Sequence, residues 1–355
     1  MLIVDDAVVI RRMLTDVLGD DSALEVAGAA ANGHIALAKL DQVNPDIVIL
    51  DVEMPEMNGL ETLAALRKRR PTLPVIMFST LTERGAKTTL DALALGASDY
   101  ITKPANVGSV VLAKQRVRDE LIPRIKALCR PAEMTPPVRK RMVQPAPREP
   151  RVLPAAGVID VVCIGVSTGG PNALASLIPA LPADLPVPIV IVQHMPPLFT
   201  KFLADRLSSQ SHIRVEEARA GTKLEPGAAW LAPGDWHLVL ERSGPAVLLR
   251  THQGPQENSC RPAADVLFRS VVAAYGGRVL AVVLTGMGQD GLRGCEMVKE
   301  AGGQIVVQDE ASSVVWGMPG YVAEAGLADR ILPLDQIAGE IVRRVTRAST
   351  VRTAS

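Results

Sequence analysis

Short runs of consecutive apolar residues recur along this chain, and between them apolar residues return every three or four positions. Up to about residue 122 the runs are Leu2-Ile3-Val4, Leu24-Glu25-Val26-Ala27, Ile47 to Leu50, Val75 to Phe78 and Tyr100-Ile101. One helical stripe holds Ile10, Met13, Leu14, Val17 and Leu18; a second holds Leu60, Leu63, Ala64 and Leu66; a third holds Leu90, Leu93 and Leu95. Strands that are apolar at every position are buried on both faces, which requires a parallel sheet between helix layers. The alternation therefore predicts a doubly wound α/β domain. Only four residues precede the acidic pair Asp5-Asp6, so a short first strand is expected.

The rhythm breaks near residue 130, where Pro131, Pro136, Pro137, Pro145, Pro147, Pro150 and Pro154 alternate with Arg139, Lys140, Arg141, Arg148 and Arg151. Prolines this frequent exclude helix and ladder alike and predict an extended tether. Its basic residues are few and lack aromatic neighbours, which favours a solvated tether over a nucleic-acid contact. From Val158 the pattern resumes, with strands expected at 159–166, 189–193, 229–232, 279–285 and 304–308. A hairpin is expected from His237 to Glu241 and Val247 to Arg250, around Ser243-Gly244-Pro245. The expected organisation is an α/β domain over 1–122, a linker over 123–157, a second α/β domain over 158–347 and a polar tail over 348–355.

Composition excludes several classes. At 355 residues the chain suits two cores rather than one. The formal charge of +0 leaves no basic footprint for nucleic acid. Cys129, Cys163, Cys260 and Cys295 form no metal-ligand spacing and fit a reducing compartment. Met1 to Val4 meet charge too soon for a signal peptide, and no apolar run approaches a membrane span. A cytoplasmic monomer is expected, without membrane insertion.

Function in open α/β sheets gathers beyond the carboxyl ends of the strands. Those ends carry Asp5 and Asp6, then Asp51, then Ser79, then Lys103. Any one of these acids alone reads best as a turn or helix cap. Together they predict a site in which Asp5 and Asp6 hold Mg²⁺ and Asp51 accepts a phosphoryl group. Lys103 would pair with the phosphate and Ser79 would sense it.

Val4-Asp5-Asp6, Leu50 to Pro55 with Asn58-Gly59, and Lys103-Pro104 resemble the receiver domain of two-component response regulators. That resemblance implies a flavodoxin-like fold and phosphorylation of Asp51 by a histidine kinase. It also implies a Glu53 main-chain carbonyl among the metal ligands and an aromatic switch residue at Tyr100, coupled to Ser79.

In the second domain, Gly165-Val166-Ser167-Thr168-Gly169 follows a buried strand and matches G-x-S-x-G, which exposes a serine on a strand-to-helix turn. A glycine-rich turn could equally cradle a phosphate, although the lysine of a P-loop is missing. Of the histidines His194, His212, His237 and His252, only His194 directly follows a buried parallel-type strand, so it is the expected base. Asp290 is the expected orienting acid, with Asp309 and then Asp235 as runners-up. The glycines around Met287 leave N–H groups free to face an oxyanion. Cys260 with His252 is a weaker rival nucleophile pair, and a packed or inert thiol suits Cys260 better.

The second domain resembles the catalytic domain of chemotaxis protein-glutamate methylesterases. The matching stretches include Gly165 to Gly170, Gln193 to Pro197, Ala232 to Asp235, Arg261-Pro262, Asp265 to Phe268, Leu284 to Gly291 and Gly317 to Pro319. The resemblance places the triad on Ser167, His194 and Asp290, the oxyanion donor on Met287 N–H, and Thr168 at the active site. It implies a Rossmann-like hydrolase domain that demethylates, and also deamidates, chemoreceptor helices without a cofactor. An unphosphorylated receiver would pack over the active site. The competing readings are an output domain that only binds a phosphate ligand or a partner, and a DNA-binding regulator. The latter lacks a basic recognition helix.

Overall fold

The structure, a computed structural model, describes residues 1–104, 110–129 and 157–352. Its first part alternates strand and helix: β1 (Leu2–Val4), α1 (Val8–Gly19), β2 (Gly28–Ala30), α2 (Gly33–Val43), β3 (Val48–Asp51), α3 (Gly59–Arg69), β4 (Val75–Ser79), α4 (Glu83–Ala94), β5 (Asp99–Thr102) and α5 (Val110–Leu128). The strands form one parallel sheet in the order β2-β1-β3-β4-β5. The apolar stripes face it: Met13, Leu14, Val17 and Leu18 are buried on α1, Leu63 and Leu66 on α3, and Leu90 and Leu93 on α4.

Three sequence expectations shift. The second strand is β2, not Leu24 to Ala27. Leu24 and Val26 instead pack against the α1 side of the core, where Ala27 N–H donates to the Met1 carbonyl at 2.9 Å. Beside β1 only a small residue fits, because a Cβ on Gly28 would lie 3.1 Å from Val43 and 3.3 Å from Leu2. Leu95 is exposed, since α4 ends at Ala94 and Gly96 turns the chain with a φ of 98°. The boundary at 122 falls inside α5, whose Leu121, Ile122 and Ile125 are buried, so this helix carries Pro123 through its interior. The tether residues 130–156 lie outside the described residues.

The second part runs β6 (Val161–Val166), α6 (Gly170–Leu177), β7 (Ile189–Gln193), α7 (Phe199–Gln210), β8 (Arg214–Glu217), β9 (Ala228–Leu231), β10 (His237–Ser243), β11 (Ala246–His252), α8 (Ala264–Tyr275), β12 (Val279–Val283), α9 (Leu292–Glu300), β13 (Gln304–Gln308), α10 (Met318–Glu324), β14 (Arg330–Leu332) and α11 (Leu334–Arg352). Seven strands form a parallel sheet ordered β14-β13-β12-β6-β7-β9-β8, while β10 and β11 form a separate antiparallel pair. The tail boundary at 347 falls inside α11, and 353–355 lie outside the described residues. The chain leaves β6 toward β7 on one side and returns through β12 on the other. That reversal opens a crevice at the carboxyl ends of β6, β7 and β12.

The two sheets meet through α4 and β5 on one side and α6 and α7 on the other. Tyr100 stacks on Phe199 with ring centroids 4.8 Å apart and planes 6° from parallel. The Lys87 ammonium lies 4.9 Å above the Phe202 ring, and Arg206 pairs with Asp91 at 2.7 Å. Leu90, Leu93, Ala97 and Tyr100 belong to the same buried apolar cluster as Phe199 and Leu203. No helix among the described residues is long and apolar enough to cross a membrane.

Candidate phosphoacceptor and active sites

Asp5 follows the first strand and Asp51 ends the third, and both are buried. Lys103, just past β5, places its Nζ 2.8 Å from Asp5 Oδ2 and 2.7 Å from Asp51 Oδ2. Asn58 caps α3 in a reciprocal box with Glu61, and Gly59 brings that helix start close. A Cβ there would meet the Asp51 carbonyl oxygen at 2.2 Å. Burial pushes the Asp51 carboxyl up to about 6, against the opposing pull of Lys103 and with the repulsion of Asp5 added.

One carboxylate oxygen from each of Asp5, Asp6 and Asp51 falls within 4.8 Å of the others, with Asp6 open to solvent. Hard oxygen donors, one of them open to solvent, suit Mg²⁺, which would also favour the ionised form of Asp51. Glu53 follows Asp51 closely, and its N–H donates to Asp51 Oδ1 at 3.3 Å. Ser79 is fully buried and its hydroxyl faces α4, donating to the Gly85 carbonyl at 3.2 Å. Tyr100 lies at the domain interface described above.

On the other side of that interface, Ser167 follows β6. Gly169, with a φ of 76°, and Gly170 complete the turn. A Cβ on Gly170 would overlap Gln193 Oε1 at 1.9 Å. The Ser167 N–H donates to the Thr285 carbonyl at 3.0 Å, and Gln193 Nε2 donates to the Ser167 carbonyl at 2.9 Å. The Ser167 hydroxyl has no hydrogen-bond partner among the described residues. A Cβ on Gly286 would lie 2.8 Å from Ser167 Cβ, so this glycine lets the 284–291 loop approach the serine. The next N–H, that of Met287, is also unpartnered among the described residues.

His194 follows β7, and its Nε2 lies 2.7 Å from Asp290 Oδ2. Asp290 is buried and saturated: Oδ2 accepts Ala264 N–H at 2.6 Å, and Oδ1 accepts Asp265 N–H at 3.0 Å and Gly291 N–H at 3.1 Å. Ala264 and Asp265 open α8 and Gly291 precedes α9, so the carboxylate sits at two helix starts, where an anion is favoured. Burial raises the Asp290 carboxyl, but His194 and those N–H groups outweigh it and hold it below the usual range. Burial would depress His194; a Cys260 thiolate and the Asp290 carboxylate overcome this and raise it, the Cys260 part lapsing when the thiol is protonated.

Ser167, Thr168, His194 and Cys260 line one cavity of about 410 Å³, and its opposite wall is Tyr100, Thr102, Arg116 and Arg124 from the first domain. Asp99, buried beside Arg124 Nε at 3.0 Å, faces the Thr168 hydroxyl; burial raises its carboxyl against the pull of Arg124 and Thr168.

The runners-up lie elsewhere. Asp309 accepts the Ser312 hydroxyl at 2.7 Å beyond β13, and Asp235 pairs with Arg261 at 2.6 Å on the cavity rim. The rival pair Cys260 and His252 is not formed. His252 lies beside His237 on the hairpin, whereas Cys260 Sγ is 3.6 Å from His194 Nδ1. Cys260 is therefore not a packed thiol, because the fold carries a polar stretch after β11 back over β7. Asn258, whose amide reaches Asp290, carries no sequence signal, since nothing in that stretch resembles a strand end.

An acid-and-lysine cluster at the strand ends of one sheet, beside a serine, histidine and aspartate cluster at those of another, is the arrangement of a response regulator with an enzyme-like output domain. Residues 1–114 match the response regulator receiver domain, and residues 162–341 match the family described as CheB methylesterase. The chain is 56% identical to the protein-glutamate methylesterase/protein-glutamine glutaminase of Trichodesmium erythraeum, covering 97% of this chain and 98% of that one. It is 51% identical to the protein of the same description from a Nocardioides species, over 98% and 95% of the two chains. Among solved structures, the CheB methylesterase catalytic domain of Thermotoga maritima is 43% identical and covers 52% of this chain and 98% of that one, with a TM-score of 0.51. The chain belongs to the CheB family of receiver-linked protein-glutamate methylesterases.

Proposed function

We propose that this protein hydrolyses glutamate methyl esters on chemoreceptor signalling helices in the cytoplasm, and deamidates glutamines there, under control of Asp51 phosphorylation by a histidine kinase. The observation that carries this reading is His194, backed by Asp290, in the cavity that holds Ser167 and is walled by the receiver. Ser167 Oγ attacks the side-chain ester carbonyl while His194 takes its proton. The carbonyl electrons move onto oxygen, where the Met287 N–H stabilises them. Collapse breaks the bond to the methoxy oxygen, which leaves as methanol with the proton from His194. Water then attacks the acyl-serine by the same route, releasing glutamate and restoring Ser167. Asp290 holds the imidazole and stabilises its cation. An amide follows the same course with ammonia as the leaving group.

Asp5, Asp6, Asp51 and the Glu53 carbonyl would hold Mg²⁺, which supplies charge neutralisation during phosphoryl transfer. Lys103 pairs with the phosphoryl group on Asp51. With the receiver in contact, Tyr100 and Arg124 occupy the side from which a receptor helix would enter.

Methanol release from methylated receptor tests this. A small-molecule phosphodonor is expected to raise the wild-type rate, and in Asp51→Ala the rates with and without donor become equal. Equal stimulation of both proteins refutes the reading. Chelation of divalent cations is expected to remove the stimulation and leave the unstimulated rate in place, because no step at Ser167 uses a metal. A parallel fall of both rates would overturn that assignment.

A further inference from the structure

The segment between β11 and α8 does more than connect them. Glu257 and Cys260 bridge each other, Glu257 N–H to the Cys260 carbonyl at 3.1 Å and Cys260 N–H to the Glu257 carbonyl at 2.9 Å. The two residues between them, Asn258 and Ser259, have φ values of 52° and 61°. Neither is glycine, so both hold a left-handed conformation that ordinary side chains disfavour. Such strain persists only where the surroundings over-determine it. Here Arg269 of α8 grips the Glu257 carboxylate through two bonds of 2.6 and 2.5 Å, fixing the turn from outside.

Inward, the turn presents one side chain to each member of the acid–base pair. Asn258 Nδ2 donates to Asp290 Oδ1 at 2.9 Å and to Asp265 Oδ2 at 2.9 Å. Asp265 in turn accepts Gly294 N–H at 2.7 Å, so the amide is tied to the start of α9. Cys260 Sγ lies 3.6 Å from His194 Nδ1. Since Nε2 is committed to Asp290, Nδ1 is the nitrogen left for the serine proton.

We propose that the Glu257–Cys260 turn positions the acid–base pair, Asn258 fixing the carboxylate of Asp290 and Cys260 holding His194 by Nδ1 until the Ser167 hydroxyl takes that nitrogen. The inference rests on the Ser167, His194 and Asp290 reading above. A thiol suits the task because it is a weak donor. It fixes the ring without competing strongly with the serine. Asn258 suits its task because it supplies two donors to two buried carboxylates that would otherwise repel. Both are positioning residues, since neither touches the reacting carbonyl.

The test uses the full chain with phosphodonor and methylated receptor. Asn258→Gly removes the amide while keeping a residue at ease with positive φ. It is expected to lower kcat by about tenfold or more with little change in KM, the signature of lost alignment. Cys260→Ala is expected to lower kcat more modestly, and Cys260→Ser, which restores a donor, to recover most of it. Nitrogen NMR of the wild-type His194 ring is expected to show the proton on Nε2, and a Nδ1 resonance that moves in Cys260→Ala. Wild-type kcat in both Asn258→Gly and Cys260→Ala, or an unmoved Nδ1 resonance, would overturn the proposal. Ser167→Ala measured alongside separates the two levels. Retained hydrolysis there sinks the triad itself, whereas a dead Ser167→Ala beside normal Asn258→Gly and Cys260→Ala variants sinks only the turn's role.

Discussion

Ser167→Ala is expected to lower kcat for methanol release by about 10⁵- to 10⁶-fold, with KM for the receptor little changed. The size follows from the chemistry. Without Oγ no acyl intermediate forms, and only oxyanion stabilisation and binding remain. The fold should tolerate the change, because the hydroxyl makes no hydrogen bond among the described residues while the backbone of Ser167 is held by Thr285 and Gln193. The variant also decides between two nucleophiles. Cys260 Sγ lies within reach of the same imidazole, and a thiol with a histidine partner can itself carry an acyl group. If Cys260 were the attacking group, Ser167→Ala would keep substantial activity and Cys260→Ala would lose it. Unchanged melting temperature with lost methanol release in Ser167→Ala assigns the attack to the serine.

That ambiguity marks the limit of what the sequence disclosed. Strands such as Ile47 to Leu50 and Ile189 to Gln193 were legible because burial on both faces leaves an unbroken apolar run. Strand β2 was not, since packing beside β1 and Val43 demands glycine and alanine, and these carry no hydrophobic signal. Strands β8 and β14 escaped notice as sheet edges, where Arg214, Glu216 and Arg330 face solvent. Asp51, Lys103, Ser167 and His194 could be picked out because strand ends in a parallel sheet converge. Cys260 stands near His252 in sequence, whereas the strained turn at Asn258 and Ser259 carries it to His194. Signals of that kind depend on backbone conformation at non-glycine residues, which composition does not reveal.

The route from Asp51 to the catalytic cavity is short. Strand β5 carries Asp99 and Tyr100 against the second domain, and Lys103 follows just beyond its end, beside Asp51. At roughly 3.3 Å per residue, the phosphoacceptor contact and the interface contact are separated by only about 10 Å of strand. On the proposed reading, a phosphoryl group on Asp51 would draw Lys103 into a new ion pair and so bear on the same strand that holds Tyr100 against Phe199. Such coupling needs two discrete arrangements of the interface, because a packed aromatic contact is either made or lost.

Tyr100→Ala should therefore reproduce, without phosphodonor, much of what phosphorylation does. The stacked pair contributes about 0.5–1.5 kcal/mol beyond the apolar area it buries. Losing that area adds about 1.5–3 kcal/mol for a side chain of this size. The Arg206–Asp91 pair adds little, since Asp91 is 58% exposed and solvent screens it. A loss of about 2–4.5 kcal/mol from the closed arrangement shifts its balance with the open one by roughly thirtyfold to two thousandfold. The unstimulated rate should rise by about ten- to a hundredfold before the open population saturates. The double variant Tyr100→Ala/Asp51→Ala should keep the raised rate, because opening no longer needs the phosphoryl group. A folded Tyr100→Ala protein with the wild-type unstimulated rate would mean that the receiver's contact does not restrain Ser167, and control would then have to act through the receptor rather than through access to the cavity.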